Sequence, residues 1–369
     1  MQFAGKQENL PCAGSLKNSR KAGGTHHQHV ASDVIHASHW SACQPVDGHQ
    51  DIARPRSTHS ANLTAPSKAN KGLRISETCS KANSPCQLSS PSVPHFRMPY
   101  FKRDTVSLFY TIQGTPTAPP ILLLHGWACD SHDWSHQIPL LTSLNFRVIA
   151  LDHRGHGCSS APLLITDYSM QNFADDVVAL LQHLRLGPVI LIAHSMSTII
   201  ASIVAVEHPE VVKALVLAHP IYCGTPPALL TMGVRMQGDP DSAPDLVATF
   251  FKSHMYTART PKWLKTWHTR RVLGMSPAML AGCALGIIDL FDRVVGQTEH
   301  AKMFMRNRDV PRLVVATNSL PSAAAWEEEL GLSTSDKLCM MEEGTFSHFV
   351  ENEKFNGILE DWLKRESFV

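Results

Sequence analysis

A strand, a tight turn and a helix in immediate succession form the feature that most constrains this chain. Residues 189–193 are a continuous apolar run, typical of a strand covered on both faces, and residues 198–206 are an apolar stretch typical of a buried helix. Between them stands Ser195, with Ala193 two residues before it and Ser197 two residues after it. A sharp connection that exposes a nucleophilic serine requires small residues at these two positions. The segment therefore predicts a nucleophile on a strand–turn–helix motif.

Such a turn gives a serine the surroundings that acyl transfer needs. Ser195 would project from the carboxyl end of its strand, at a helix N-terminus that favours developing negative charge. The backbone N–H of Met196 is one predicted oxyanion donor. The second should come from the loop after an earlier strand, where the N–H of Trp127 is the candidate.

Strands and helices alternate along residues 98–369, apart from one long interruption. This alternation predicts an α/β fold with a mostly parallel sheet and helices on both faces. Residues 221–308 show no clear buried strand and are predicted to be a helical insertion. The predicted strands cover residues 106–112, 121–124, 146–151, 189–193, 212–218, 312–316 and 337–341, and the clearest predicted helix starts at the capping residue Ser169.

Four motifs in this order give the chain a family resemblance. Residues 121–127, 152–157, 194–197 and 208–210 together resemble the α/β-hydrolase superfamily, and the resemblance covers about residues 100–365. It implies the α/β-hydrolase fold, with a sheet of about eight mostly parallel strands and a helical cap between strands six and seven, which residues 221–308 match. It also implies a nucleophile, an acid and a histidine in that chain order.

The histidine of this series should follow the last strand. The local sequence there is Gly-Thr-Phe-Ser-His-Phe, in which His348 is the predicted base. Counting back from the final helix without gaps places Thr345 at the family's histidine position instead. Counting from the Ser-His-Phe run places His348 there, with a loop shortened by three residues, and this alignment is the preferred one.

The acid is absent from both positions where the resemblance places it. Asn318 follows the seventh strand and His219 follows the sixth, and residues 327–329, three glutamates, are predicted to be one turn of a solvated helix. Asn318 is the predicted partner that orients the His348 imidazole through its amide oxygen. Because an amide supplies no negative charge, the expected loss in kcat is about 10⁴-fold, so activated esters, thioesters and lactones are the expected substrates.

Two other functions stay open. Residues 123–127, 154–157 and 344–349 also resemble the cofactor-independent 2,4-dioxygenases of hydroxy-oxoquinolines, whose base is a His–Asp pair with the Asp after strand six. That position is His219 here. A non-catalytic ligand-binding protein that kept the pocket and lost the triad is the other alternative.

Residues 1–97 differ in composition from the rest. They carry 11 Lys/Arg against 5 Asp/Glu, and only 16 of them are Ile, Leu, Val, Phe, Met, Trp or Tyr. So little apolar surface cannot offset the entropy of ordering, which predicts a disordered polar arm. The arm is alternatively an extension of the gene model, with the native protein starting at Met98, or a transit peptide that would make the protein mitochondrial.

Overall composition narrows the possible partners. The net charge of +1 gives no case for nucleic acid, and no apolar run approaches the length of a membrane span. The nine cysteines show no zinc-binding pair, which favours a reducing, cytoplasmic setting. We expect a small apolar substrate, no cofactor and no metal.

Overall fold

The computed structural model describes residues 99–222 and 227–369, so the predicted disordered arm, residues 1–97, lies outside the described residues. The described residues form eight strands. They are β1 Tyr100–Arg103, β2 Val106–Gln113, β3 Pro120–Leu124, β4 Arg147–Leu151, β5 Val189–His194, β6 Val212–Ala218, β7 Arg312–Thr317 and β8 Lys337–Met341.

These strands form one sheet in the order β1-β2-β4-β3-β5-β6-β7-β8. The pairs β1–β2 and β2–β4 are antiparallel, and the remaining five pairs are parallel. The central strands β5 and β6 are buried except at Lys213, because helices cover both of their faces. The N-terminal strand β1 was not predicted from the sequence, because it is only four residues long and partly polar.

Eleven α-helices accompany the sheet in the described part of the chain. They are α1 Gln137–Ser143, α2 Met170–His183, α3 Met196–Glu207, α4 Pro227–Gly238, α5 Ala243–Phe250, α6 Lys262–Leu273, α7 Pro277–Asp289, α8 Glu299–Arg306, α9 Ser322–Leu330, α10 Ser347–Val350 and α11 Asn352–Arg365. The predicted cap of α2 is present, since the Ser169 side chain accepts a hydrogen bond from the N–H of Asn172 at 3.2 Å.

Two apolar cores lie on opposite faces of the sheet. One is built with α2, α3 and the helices between β6 and β7, and the other with α1 and α11. The alternation of inward and outward residues along each strand sends side chains into both cores. The prediction of an α/β fold with about eight mostly parallel strands and helices on both faces is therefore confirmed.

Helices α4–α8 lie between β6 and β7, and we call them the helical insertion. Arg271 of α6 binds the buried Asp133 of the β3–α1 connection at 2.8 Å. Burial alone would raise the pKa of Asp133, but the Arg271 guanidinium holds that pKa well below its ordinary value. On another side, Arg259 binds Glu351 at 2.7 Å and Thr257 donates to Glu343. Polar contacts thus attach the insertion to the sheet domain at two places.

None of the described helices is by itself long and apolar enough to cross a membrane. Helices α6 and α7 reach that length and composition only when taken together, and they meet at an angle of 102°. Their apolar residues pack instead into the core that lies beneath the insertion, where Leu264, Val272, Met279 and Leu280 are buried.

The glutamates at 327–329 are not one uniformly solvated helical turn, as the sequence suggested. Glu327 has no exposed surface and binds Arg308 at 2.8 Å and Arg312 at 3.2 Å, whereas Glu328 and Glu329 are exposed. Both arginines lie on other elements than the helix that carries Glu327: one follows α8 and the other begins β7. The buried ion pairs therefore could not be inferred from the helix sequence alone.

We expect Glu327→Gln to destabilise the fold strongly. The substitution keeps the shape of the side chain but leaves the buried Arg308 guanidinium without a paired carboxylate, which costs roughly 3–5 kcal/mol, whereas Arg312 keeps its contact with Asp336 at 3.2 Å. The corresponding fall in Tm is about 10 °C for a domain of this size. The exposed neighbour supplies the control, because Glu328→Gln should change stability by no more than about 0.5 kcal/mol. Equal melting temperatures for the two variants would show that the ion pairs contribute nothing.

Candidate active site

Ser195 occupies a strained turn between β5 and α3. Its φ of 51° and ψ of −117° belong to a region that residues with a side chain rarely adopt. The turn is held by two backbone bonds, from the Ser195 N–H to the Ala218 carbonyl at 2.9 Å and from the Thr198 N–H to the Ser195 carbonyl at 2.8 Å. Ala193 and Ser197 are both completely buried, which explains why these positions are small.

The loop after β3 approaches this turn closely. A Cβ atom on Gly126 would lie 2.7 Å from the His194 Nδ1 atom and 3.2 Å from the Ser195 Cβ atom. Only a glycine permits this approach, and the next residue along the loop is Trp127. In the described part of the chain, no acceptor takes a hydrogen bond from the backbone N–H of Trp127 or of Met196. Both predicted oxyanion donors are therefore unpaired beside Ser195.

A cavity of about 490 Å³ opens over Ser195. Its volume falls in the range of small-molecule sites. The sheet domain supplies most of its polar wall and the helical insertion most of its apolar wall. The lining residues are Trp127, Ser195, Met196, His219, Ile221, Pro227, Leu229, Phe250, His254, Met255, Ile287, Ser319, Leu320 and Thr345. No carboxylate is found among these residues.

His219 is the histidine that the sheet domain presents to this cavity. It follows β6 directly, has a φ of 50°, and donates its backbone N–H to the Val315 carbonyl at 2.9 Å. Its ring Nδ1 lies 2.8 Å from the Thr317 hydroxyl, which lies 2.9 Å from the Ser319 hydroxyl. Burial, with a smaller contribution from His194, lowers the pKa of His219 to about 3. The imidazole is therefore neutral at physiological pH.

His348, the predicted base, is placed differently. It lies in the short helix α10, Ser347–Val350, and not in a loop. Its ring packs against His194, Trp134 and Phe355 and has no exposed surface. Among the described residues, neither ring nitrogen of His348 has a hydrogen-bond partner. Burial lowers its pKa well below 6.5, and His194 lowers it further. His348 does not line the cavity.

Thr345 takes the cavity-facing position after β8, as the gapless alignment with the family pattern indicates. Its carbonyl accepts a hydrogen bond from His194 Nε2 at 2.8 Å, and the His194 ring also packs against the His348 ring. Asn318 is exposed and is not among the lining residues. Neither Asn318 nor His348 lines the cavity beside Ser195, so the described structure does not bring the three predicted residues together there.

The site residue that sequence reasoning missed is His219. Its position is visible in the sequence, since a histidine stands after the sixth strand where the resemblance implies an acid. Thr317 gave no signal, because a threonine at the end of a buried strand is ordinary. Only the pairing of β6 with β7 shows that its hydroxyl meets the His219 ring.

Other polar residues near the site hold its loops. His125 Nε2 accepts from the His153 N–H at 3.0 Å, and His153 Nε2 lies 2.8 Å from the Ser197 hydroxyl. Asp152 accepts from the N–H groups of Ser131 and Cys158, each at 2.8 Å. These contacts fix the loops after β3 and β4 against the serine turn. In the described residues, no group of histidine, cysteine or acidic side chains is arranged to hold a metal ion.

Comparison with known proteins agrees with this architecture. Residues 119–278 match the family model described as the alpha/beta hydrolase fold. The chain is 29% identical over 160 residues to a bifunctional esterase/perhydrolase of Acinetobacter calcoaceticus, which covers 43% of this chain and 54% of that protein. It is 37% identical over 131 residues to a haloalkane dehalogenase of Mycolicibacterium paratuberculosis, covering 35% and 43%. The matches span about half the length of these curated relatives.

Solved structures extend the likeness over the whole described domain. The enol-lactonase of Burkholderia xenovorans superposes with a TM-score of 0.62 at 20% identity, covering 72% of this chain and 100% of that one. At this identity the likeness concerns the fold. The sheet order, the serine turn after β5 and the helical insertion after β6 are all in place. The described residues have the α/β-hydrolase fold, and residues 119–278 match the model of that family.

Proposed function

We propose that this chain is a serine hydrolase that cleaves small apolar carboxylic esters, thioesters or lactones, with Ser195 as the nucleophile. The observation that carries the proposal is the position of Ser195, in a strained turn at the wall of a mostly apolar cavity of about 490 Å³. Strained backbone persists where surrounding structure holds it, and such positions cluster at reactive sites. The esterase/perhydrolase among the similar proteins supports this substrate class.

The two unpaired N–H groups complete the proposed chemistry. When the Ser195 hydroxyl oxygen attacks a carbonyl carbon, the carbonyl oxygen becomes an oxyanion that the N–H groups of Trp127 and Met196 can stabilise. Fixed donors of this kind need no reorganisation as the charge develops, and each is worth about 10²–10³ in kcat. The helix dipole of α3 adds a favourable field at the same place.

The absence of a carboxylate from the cavity limits the range of substrates. A charged partner stabilises the imidazolium that forms during attack, and losing it costs about 10⁴ in kcat. Amides have poor leaving groups and need that stabilisation most. Esters, thioesters and lactones with good leaving groups are therefore the substrates that this site can turn over. The apolar wall supplied by Ile221, Leu229, Phe250 and Ile287 favours an apolar acyl group.

Labelling of the full chain with a fluorophosphonate tests the proposal. We expect stoichiometric phosphonylation at Ser195, located by mass spectrometry, together with hydrolysis of p-nitrophenyl butyrate. Ser195→Ala should show neither, whereas Ser143→Ala, which removes an exposed serine of α1, should behave as the wild type. Phosphonylation elsewhere would contradict the proposal.

Two further outcomes distinguish the other functions. Tight binding of an apolar ligand without labelling or hydrolysis would indicate a binding protein. Oxygen consumption with a hydroxyquinolone, without hydrolysis, would indicate a dioxygenase. Either result would overturn the proposed hydrolase activity.

A further inference from the structure

We propose that His219 is the general base for Ser195, and that it replaces the histidine which the family pattern places after the last strand. The proposal rests on the hydrolase function proposed above. Ser195 follows β5 and His219 follows β6, the adjacent parallel strand, and both side chains line the same cavity. The Ser195 N–H donates to the carbonyl of Ala218, the residue before His219, at 2.9 Å.

The backbone at His219 is held in an unusual conformation. Its φ of 50° lies in the left-handed region, which costs a residue with a side chain about 1–3 kcal/mol. The bond from its N–H to the Val315 carbonyl, at 2.9 Å, anchors it between β6 and β7. The strain turns the His219 ring toward the cavity instead of continuing the strand. Two strained residues on neighbouring strand ends therefore face one apolar chamber.

Hydrogen bonds orient the His219 ring. When Nδ1 carries the ring proton it donates to the Thr317 hydroxyl at 2.8 Å, and that hydroxyl in turn donates to Ser319 at 2.9 Å. This arrangement leaves Nε2 as the acceptor, the form that a general base requires. Thr317 is the last residue of β7, one residue before the position where the family resemblance implies the acid. Thr317 is thus a neutral positioning residue for His219.

The comparison with His348 favours His219. His348 has no exposed surface, and in the described part of the chain its two ring nitrogens contact no polar partner. It is not among the residues that line the cavity. The Ser195 hydroxyl makes no hydrogen bond among the described residues. Contacts between a nucleophile and its base often tighten only when substrate is bound.

In the proposed reaction, His219 Nε2 carries the proton in every step. His219 Nε2 takes the proton of the Ser195 hydroxyl as its oxygen bonds to the carbonyl carbon. As the tetrahedral intermediate collapses, the bond to the alkoxide or thiolate breaks and that group leaves with the proton from Nε2. Water then attacks the acyl-enzyme and gives a proton to Nε2. The proton returns to the serine oxygen as the carboxylic acid is released.

Burial makes His219 a weak base. The titratable groups near it are His194 on β5, His348 of α10 and His254, which lines the same cavity, and the cavity lining holds no carboxylate. Burial and His194 lower its pKa to about 3. Because the imidazole stays neutral at all moderate pH values, the rate of hydrolysis should not fall with decreasing pH anywhere above pH 6.

Substitutions at the two histidines separate the candidates. His219→Asn retains a residue type that tolerates positive φ, and His348→Phe retains a ring in a site without polar partners. We expect His219→Asn to lower kcat/KM for p-nitrophenyl butyrate by about 10²–10⁴-fold, and His348→Phe to have a much smaller effect. Added imidazole should restore activity to His219→Gly. His300→Ala, on the exposed face of α8, is the control and should not change the rate.

A second pair of variants tests the orienting role of Thr317 by the pH profile. Thr317→Asp places a carboxylate beside Nδ1, which should raise the pKa of His219 and bring an acid limb into the range above pH 6. It should also raise kcat by at least about tenfold, part of the 10⁴ that a charged partner is worth. Thr317→Asn has nearly the same shape without the charge, and its profile should stay flat above pH 6.

The outcomes distinguish this proposal from the proposed function. If Ser195→Ala abolishes hydrolysis but His219→Asn retains the wild-type rate, the base assignment is overturned and the hydrolase stands. A loss in His348→Phe as large as that in His219→Asn, with no rescue by imidazole, also overturns it. Identical rates and pH profiles for Thr317→Asp and Thr317→Asn overturn it independently. If Ser195→Ala retains full activity, both proposals fail.

Discussion

Ser195→Gly is expected to abolish ester hydrolysis and at the same time to stabilise the fold. Loss of the nucleophilic oxygen should lower kcat by at least about 10³-fold. The φ of 51° and ψ of −117° at this position are strained for serine but accessible to glycine. Relief of the strain exceeds the entropic cost of glycine, so we expect a gain of about 1 kcal/mol in the free energy of unfolding. Activity and urea denaturation of the same protein measure the two effects.

Ser195→Ala is the matched control for the stability gain. Alanine lacks the hydroxyl but keeps the Cβ atom that makes this conformation unfavourable, so activity should be lost without any stabilisation. Opposite changes in activity and stability are expected where a protein stores strain for function. A glycine variant no more stable than the alanine variant would show that the turn carries no strain.

Acid should unfold this protein at unusually mild pH. Among the described residues, burial lowers the pKa of seven histidines below 6.5. These are His125, His153, His156, His194, His219, His268 and His348. All seven are neutral in the folded protein at neutral pH, whereas in the unfolded chain they take up protons as the pH falls through about 6.5.

The sign and size of this effect follow from proton linkage. Below pH 6.5 the unfolded state binds more protons than the folded state, so stability falls as the pH falls. Each neutral buried histidine contributes roughly 1.4 kcal/mol per pH unit until its folded pKa is reached. Several such groups together cost an amount comparable with a total stability of about 5–15 kcal/mol. We therefore expect urea denaturation midpoints to drop steeply between pH 7.5 and 5.5.

One histidine can be removed to check the origin of the slope. His268 is buried, contacts Phe346 and has its pKa lowered to about 3 by burial, with Arg271 contributing. His268→Phe should reduce the dependence of the unfolding free energy on pH by the amount that corresponds to the uptake of about one proton. His300→Phe, at an exposed position, should leave the slope unchanged. A flat dependence in the wild type would mean that these rings are charged when folded.

The sequence predicted the sheet and the serine turn well because both depend on local patterns. Continuous apolar runs mark β3, β5, β6 and β7, and small residues around Ser195 mark the turn. The prediction of His348 as the base depended on a choice between two alignments of one loop, and in the structure Thr345, not His348, lines the cavity. His219, Thr317 and Glu327 act through partners on other elements. Such pairings are set by strand order and helix packing, which no local pattern encodes.

The two-sided attachment of the helical insertion implies a site of constant volume. Arg271 binds Asp133 on one side and Arg259 binds Glu351 on the other, so we expect the apolar wall to keep its distance from Ser195. In the proposed hydrolase, turnover should then not wait for a lid to open and close. Discrimination instead falls on the length of the acyl chain, because a fixed wall admits homologous esters up to one size and excludes the next methylene.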